Sequence, residues 1–176
     1  MKFTVISGGQ TGVDQAAIRV ARSLGLATGG NAARGWATEA GPAPWLADYG
    51  LVDSRMSYAD RTRLNVDTAH ATLILVDAGP LAGGTLLTQE YAQRKIEGDI
   101  AEGKPHAGLC AAEMTTDTPA AVLEWLHACW LKDTTFGGVP GFVLNVAGPR
   151  ESKALGIGRR AECYLERVLR AMRLYL

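Results

Sequence analysis

The chain has 176 residues, a length that suits one domain with a sizeable core of its own. Apolar residues make up 47% and charged residues 20%, which excludes a disordered or low-complexity protein. The 18 basic and 18 acidic side chains cancel, so composition supplies no general attraction to nucleic acid or membrane.

Cys110, Cys129 and Cys163 are odd in number and widely spaced, without a CxxC pair. Neither a zinc ribbon nor a disulfide framework follows, and reduced, partly buried thiols are expected. One Lys and the short apolar run "FTVI" stand ahead of the first glycines, too little for a signal-peptide core. No run elsewhere approaches a membrane span. The expectation is a soluble cytoplasmic protein, with residues 1–176 as a single ligand-binding domain.

"KFTVI", residues 2–6, is a β-branched run closed by Gly8 and Gly9, which predicts a buried strand. Behind it, Ala16, Ala17, Val20, Ala21 and Leu24 recur at helical spacing, and Gly25 stands where the helix should stop. Residues 27–58 look irregular, with Pro42, Pro44, Trp36, Trp45 and many glycines. Loops of that length inside a compact domain are usually functional or partly structured lids.

Ser57 with Asp60 resembles a capping box and predicts a helix to about Ala69. "ATLILV", 71–76, has strand length and leads through "DAGPLAGGT" into a helix from about Thr85 to Gly98. A weaker strand is expected around 104–110. Thr118-Pro119 opens a helix to about Leu131, "GFVLNVAG" at 141–148 is another strand, and a helix from about Leu155 runs to the end.

Strands alternating with helices imply a Rossmann-like three-layer α/β/α sandwich with a mostly parallel sheet. Ligands of such sheets sit beyond the carboxyl ends of the strands, near a topological switch point. Segments 7–12, 77–85 and 145–153 are the glycine-rich or polar stretches that fall there.

"SGGQTG" places Gly8, Gly9, Gln10, Thr11 and Gly12 at a helix start, where amides and the helix dipole favour an anion. It is neither a Walker A motif nor GxGxxG, and a tight strand-to-helix turn would use the same glycines. Asp14, in the first helical turn, is expected to favour the dipole. Gly83, Gly84 and Thr85 repeat the device behind another strand, followed by Glu90. Asn145, Arg150, Ser152 and Lys153 close a third strand, and Arg or Lys there can neutralise phosphate. Arg61 and Asn65 share a helical face; Arg61 could reach a ligand or pair with Glu90. His70, His106 and His127 show no metal spacing, and no metal site is expected. Trp125, Trp130 and the apolar face Leu165, Val168, Leu169 and Met172 suit core or a subunit contact.

"ISGGQTGVDQAAI", "GPLAGGTLLTQE" and "LNVAGPRESKALGI" resemble the three signature blocks of the molybdenum carrier family, the molybdenum cofactor carrier proteins. The intervening segments are similar too, so the resemblance runs from Val5 to about Ile157. It implies a Rossmann-like protein of the lysine-decarboxylase-like group. Such a protein would bind molybdenum cofactor (molybdopterin), protect it and deliver it to molybdoenzymes, as a homo-oligomer, dimer or tetramer. Gly8 to Gly12 would form one wall of the site and Gly83 to Thr85 the second, with Asn145, Arg150, Ser152 and Lys153 adding polar contacts. The same group contains phosphoribohydrolases acting on nucleoside monophosphates, which leaves an alternative with Glu90 and Arg61 as catalytic residues. Glu90, however, falls later than that group's Glu would. A nucleotide-binding module without turnover is the third possibility.

Overall fold

The computed structural model describes residues 2–103, 107–135 and 141–176. Strand β1 (Lys2–Ile6) runs straight into the loop that opens α1 (Val13–Ser23). α1 buries Val13, Ala16, Ala17, Val20 and Ala21, the residues at helical spacing. Leu26 N–H then closes on the Ala21 carbonyl at 3.0 Å as the helix ends.

The stretch expected to be irregular is more structured than its composition suggests. It holds β2 (Ala27–Ala32), the short antiparallel pair β3 (Ala37–Thr38) and β4 (Gly41–Pro42), and β5 (Leu51–Asp53). "ATGGNA" has no apolar alternation. It becomes a strand because β1 pairs with it through Thr4, Val5 and Ile6, and β5 pairs with its other edge. Neighbouring backbone here overrides intrinsic preference.

The capping box at Ser57 is present: its hydroxyl oxygen accepts the Asp60 N–H at 3.2 Å and donates to the Asp60 carboxylate at 2.7 Å. It opens α2 (Tyr58–Thr68), followed by β6 (Ala71–Val76), α3 (Gly83–Ala101), β7 (Gly108–Glu113), α4 (Pro119–Thr135), β8 (Gly141–Ala147) and α5 (Ile157–Met172). β7 lies later than the strand expected around 104–110, because β6 pairs with it from Ala71 opposite Gly108 to Val76 opposite Glu113. Residues 104–106, His106 among them, lie outside the described residues. α5 starts after Leu155, since the chain first turns through Ala154 N–H to the Arg150 carbonyl at 3.3 Å.

The six-stranded sheet has the order β5-β2-β1-β8-β6-β7, and every neighbouring pair is parallel. α1, α5 and α4 pack side by side on one face, and α2 and α3 pack together on the other. The result is the Rossmann-like three-layer α/β/α arrangement. The main core joins Phe3, Val5, Leu73, Leu75, Leu144 and Val146 of the sheet to α1, Leu126 of α4, and Leu165, Val168, Leu169 and Met172 of α5. Trp125 and Trp130 pack against it, and His127 stacks on Tyr175 at 4.2 Å. A smaller core around Ile18 and Leu46 pins the 33–50 segment to the outer edge.

The chain steps from β1 outward to β2 and β5, then crosses to β6. This leaves β1, β8 and β6 as neighbours at the switch point, and these strands feed the three glycine-rich or polar segments. Among the described residues, no helix is long and apolar enough to cross a membrane.

Candidate functional site

The loop behind β1 is tied to itself. Ser7, fully buried, donates its hydroxyl to the Asp14 carbonyl at 3.0 Å and accepts the Gly9 N–H at 3.3 Å. Gln10 N–H reaches the Asp14 carboxylate at 3.2 Å, Thr11 N–H the Gln10 side-chain oxygen at 3.0 Å, and Val13 N–H the Pro149 carbonyl at 3.3 Å. Amides expected to be open to an anion are therefore engaged with the chain's own acceptors.

Asp14 does more than favour a helix dipole. Its side chain is 6% exposed and faces Arg61, 12% exposed, with Nη1 to Oδ2 at 3.5 Å. Burial pushes the Asp14 carboxyl up, against the Arg61 charge and the Gln10 and Gly8 amides. Gly8 makes this possible. A Cβ there would lie 1.1 Å from Arg61 Nη1, so the guanidinium rests where any other side chain would begin. Arg61 pairs with Asp14 and not with Glu90. Its Nε is buried without a hydrogen-bond partner.

Behind β6, α3 begins at Gly83 with no side-chain cap. A Cβ added at Gly83 or Gly84 would find nothing within 4 Å. These residues and Thr85 line a cleft of about 700 Å³, together with Gln10, Asp14, Tyr58, Arg61, Asp77, Thr88, Arg150 and Lys153. The amides of an uncapped helix start, with the positive end of its dipole, suit an anion. Asp77 is held at the rim by a two-pronged ion pair with Arg160, at 3.0 and 2.6 Å. Thr88 donates to the Gly84 carbonyl at 2.8 Å. Glu90, about 200° further round the helix, is exposed and does not line the cleft.

Behind β8, Glu151 caps α5 by accepting the N–H groups of Gly156 and Gly158. Ser152 and Arg150 turn to Glu39, a residue that no motif or spacing singles out. Glu39 Oε1 accepts the Thr11 hydroxyl and the Ser152 N–H, the latter at 3.0 Å; Oε2 accepts the Ser152 hydroxyl and Arg150 Nε, the latter at 3.2 Å. Burial works to raise the Glu39 carboxyl, but the Ser152 and Thr11 hydroxyls, the Ser152 amide and Arg150 hold it below its ordinary range.

Gln10, Gly83, Gly84, Thr85, Arg150 and Lys153 thus share the cleft with Arg61. Thr11, Gly12 and Ser152, again with Arg150, line an adjoining open groove of about 920 Å³. Gly8 and Gly9 line neither; Gly8 lies beneath Arg61. Asn145 departs from expectation: it is buried within β8 and donates to Thr72 Oγ1 on β6 at 3.4 Å, bracing the sheet. Asn65 likewise pairs with Asn31 of β2 and does not face the cleft. Sequence reasoning missed Glu39 as a partner of two loops. No spacing rule connects it to residue 152, and only the pairing of β3 with β4 carries it there. Among the described residues, no cluster of three or more His, Cys, Asp or Glu could hold a metal ion. The three cysteines are free, and burial pushes the Cys129 thiol up to about 11.

The model of the circularly permutated YpsA SLOG family matches residues 5–169. A crystal structure of a protein named "putative molybdenum carrier protein", from Syntrophus aciditrophicus SB, is similar with a TM-score of 0.74. The two chains share 29% sequence identity over 94% of each. No curated protein matches the chain. The resemblance carried by the three blocks and the expected fold class are both borne out.

Proposed function

From the premise that the chain belongs to the circularly permutated YpsA SLOG family, we propose that it binds molybdenum cofactor, protects it and delivers it to molybdoenzymes. One observation carries this most: the uncapped start of α3, Lys153 and Arg61 line a single cleft beyond the strand ends. Its volume of about 700 Å³ suits a compact organic ligand.

The cofactor's terminal phosphate sits at Gly83, Gly84 and Thr85, where helix amides donate without displacing a cap. Lys153 supplies a point charge beside it, and Arg61, already balanced by Asp14, orients polar atoms of the pterin. Tyr58 at the rim offers an aromatic face. Holding a cargo needs no acid or base, which agrees with Glu90 lying away from the cleft. The name of the Syntrophus aciditrophicus protein adds support for a molybdenum cargo. Delivery to recipient molybdoenzymes, a cytoplasmic location and a homo-oligomeric state belong to the same proposal.

The test is to mix purified protein with molybdenum cofactor, separate by gel filtration, and oxidise the protein fraction to its fluorescent pterin. Fluorescence should travel with the protein, and Lys153→Ala should weaken binding about 10- to 100-fold, as expected for one charged contact. Absence of pterin from the wild-type fraction contradicts the proposal. Release of adenine from AMP would contradict it in favour of a hydrolase.

A further inference from the structure

Thr11, Ser152 and Arg150 direct two hydroxyls, one N–H and one guanidinium N–H at the Glu39 carboxylate. These four donors come from the loops behind β1 and β8, whereas the acceptor comes from the short β3–β4 hairpin. We propose that the four donors form an oxyanion-binding subsite, which Glu39 fills from within the chain and vacates when a tetrahedral oxyanion takes its place.

The donor set suits such an ion. Hydroxyl, amide and guanidinium donors each give a charge-assisted hydrogen bond to a phosphate or similar oxygen. The frame does not depend on Glu39. Thr11 Oγ1 also accepts the Glu151 N–H at 3.3 Å, Thr11 N–H is held by Gln10, and Lys153 N–H closes a turn on the Arg150 carbonyl at 3.0 Å. Withdrawal of the carboxylate therefore leaves the backbone on which the donors stand tied as before and frees the four donors for an incoming anion.

The hairpin, by contrast, is short and is closed on itself by Thr38, whose hydroxyl donates to the Gly41 carbonyl at 2.6 Å and accepts the Ala40 N–H at 3.2 Å. Its paired strands are two residues each, and Trp36 just before it has φ 60°, a left-handed conformation that a non-glycine residue keeps only under surrounding constraint. Glu39 N–H adds one more tie, to Gln10 Oε1 at 2.9 Å. The subsite opens onto the groove of about 920 Å³, so a ligand can reach it without passing through the cofactor cleft. Arg150 lines both spaces.

The inference rests on the cofactor proposal only for what the hairpin would guard; inorganic phosphate as the probe lets the two fail separately. Calorimetric titration with phosphate should show at least about 10-fold tighter binding to Glu39→Gln than to wild type, the scale of one charged hydrogen bond. Adding Ser152→Ala should remove the gain. Equal affinities, or a gain that survives Ser152→Ala, would overturn the proposal and leave Glu39 as a structural clasp. If Glu39→Gln does not fold, amide exchange of the wild-type hairpin decides. Exchange at residues 38–41 should quicken in saturating phosphate, and unchanged exchange overturns the subsite.

Discussion

Asp14 and Arg61 show how much one glycine can carry. Gly8 leaves room for the guanidinium, and the guanidinium makes a buried carboxylate tolerable. Removing one partner of such a pair strands the other, which typically costs about 3–5 kcal/mol. Arg61→Ala should therefore lower the unfolding free energy by about that amount at neutral pH. The sign with pH follows from Asp14, whose folded pKa is raised above its ordinary value by burial. A raised carboxyl contributes stability that is full below the unfolded pKa and is lost as pH rises through the folded one. Without Arg61 the folded value rises further, so the deficit of Arg61→Ala should grow as pH rises above the wild-type folded value, which itself lies above the ordinary carboxylate range. Adding Asp14→Asn should flatten that slope. Denaturant titrations across pH measure both effects, and a deficit that shrinks with rising pH contradicts the assignment.

At the scale of elements, the crossing of β8, β6 and α1 sets the register of the site. A Cβ at Gly148 would lie 2.4 Å from the Leu75 carbonyl oxygen and 2.6 Å from Val13 Cγ2. The carbonyl belongs to a central strand and has little room to yield, so Gly148→Ala should cost about 1–3 kcal/mol or more by overpacking. Chemical denaturation gives the value, and a neutral result would mean that β8 can shift without loss. The strongly patterned elements were legible: β1, α1, α2, β6, β8 and α5 follow from apolar spacing, the Ser57 cap and glycine stops. β2 and β5 were not, because their pairing partners lie elsewhere in the chain, β2 carries two glycines and an Asn, and β5 is only three residues long. Glu39 was hidden for the same reason. Its partners at Thr11 and Ser152 are 28 and 113 positions away and meet it only once the hairpin forms.

Across the whole molecule, the alternation of strands and helices was enough to place ligand chemistry at the strand ends, and the sheet order makes β1, β8 and β6 neighbours there. Residue types, however, did not reveal which loop amides are open. The loops behind β1 and β6 look alike in sequence, yet the first is closed by Ser7, Gln10 and Asp14 while the second starts a helix without a side-chain cap. In the proposed function one cleft, framed by these strand-end segments, holds the cofactor. Hydrogen exchange with and without bound molybdenum cofactor decides whether it does. Protection is predicted at residues 82–85, with little change at the already bonded amides of 9–11 and 151–154. Protection confined to the far edge of the sheet, or none at the start of α3 while cofactor is bound, would contradict it.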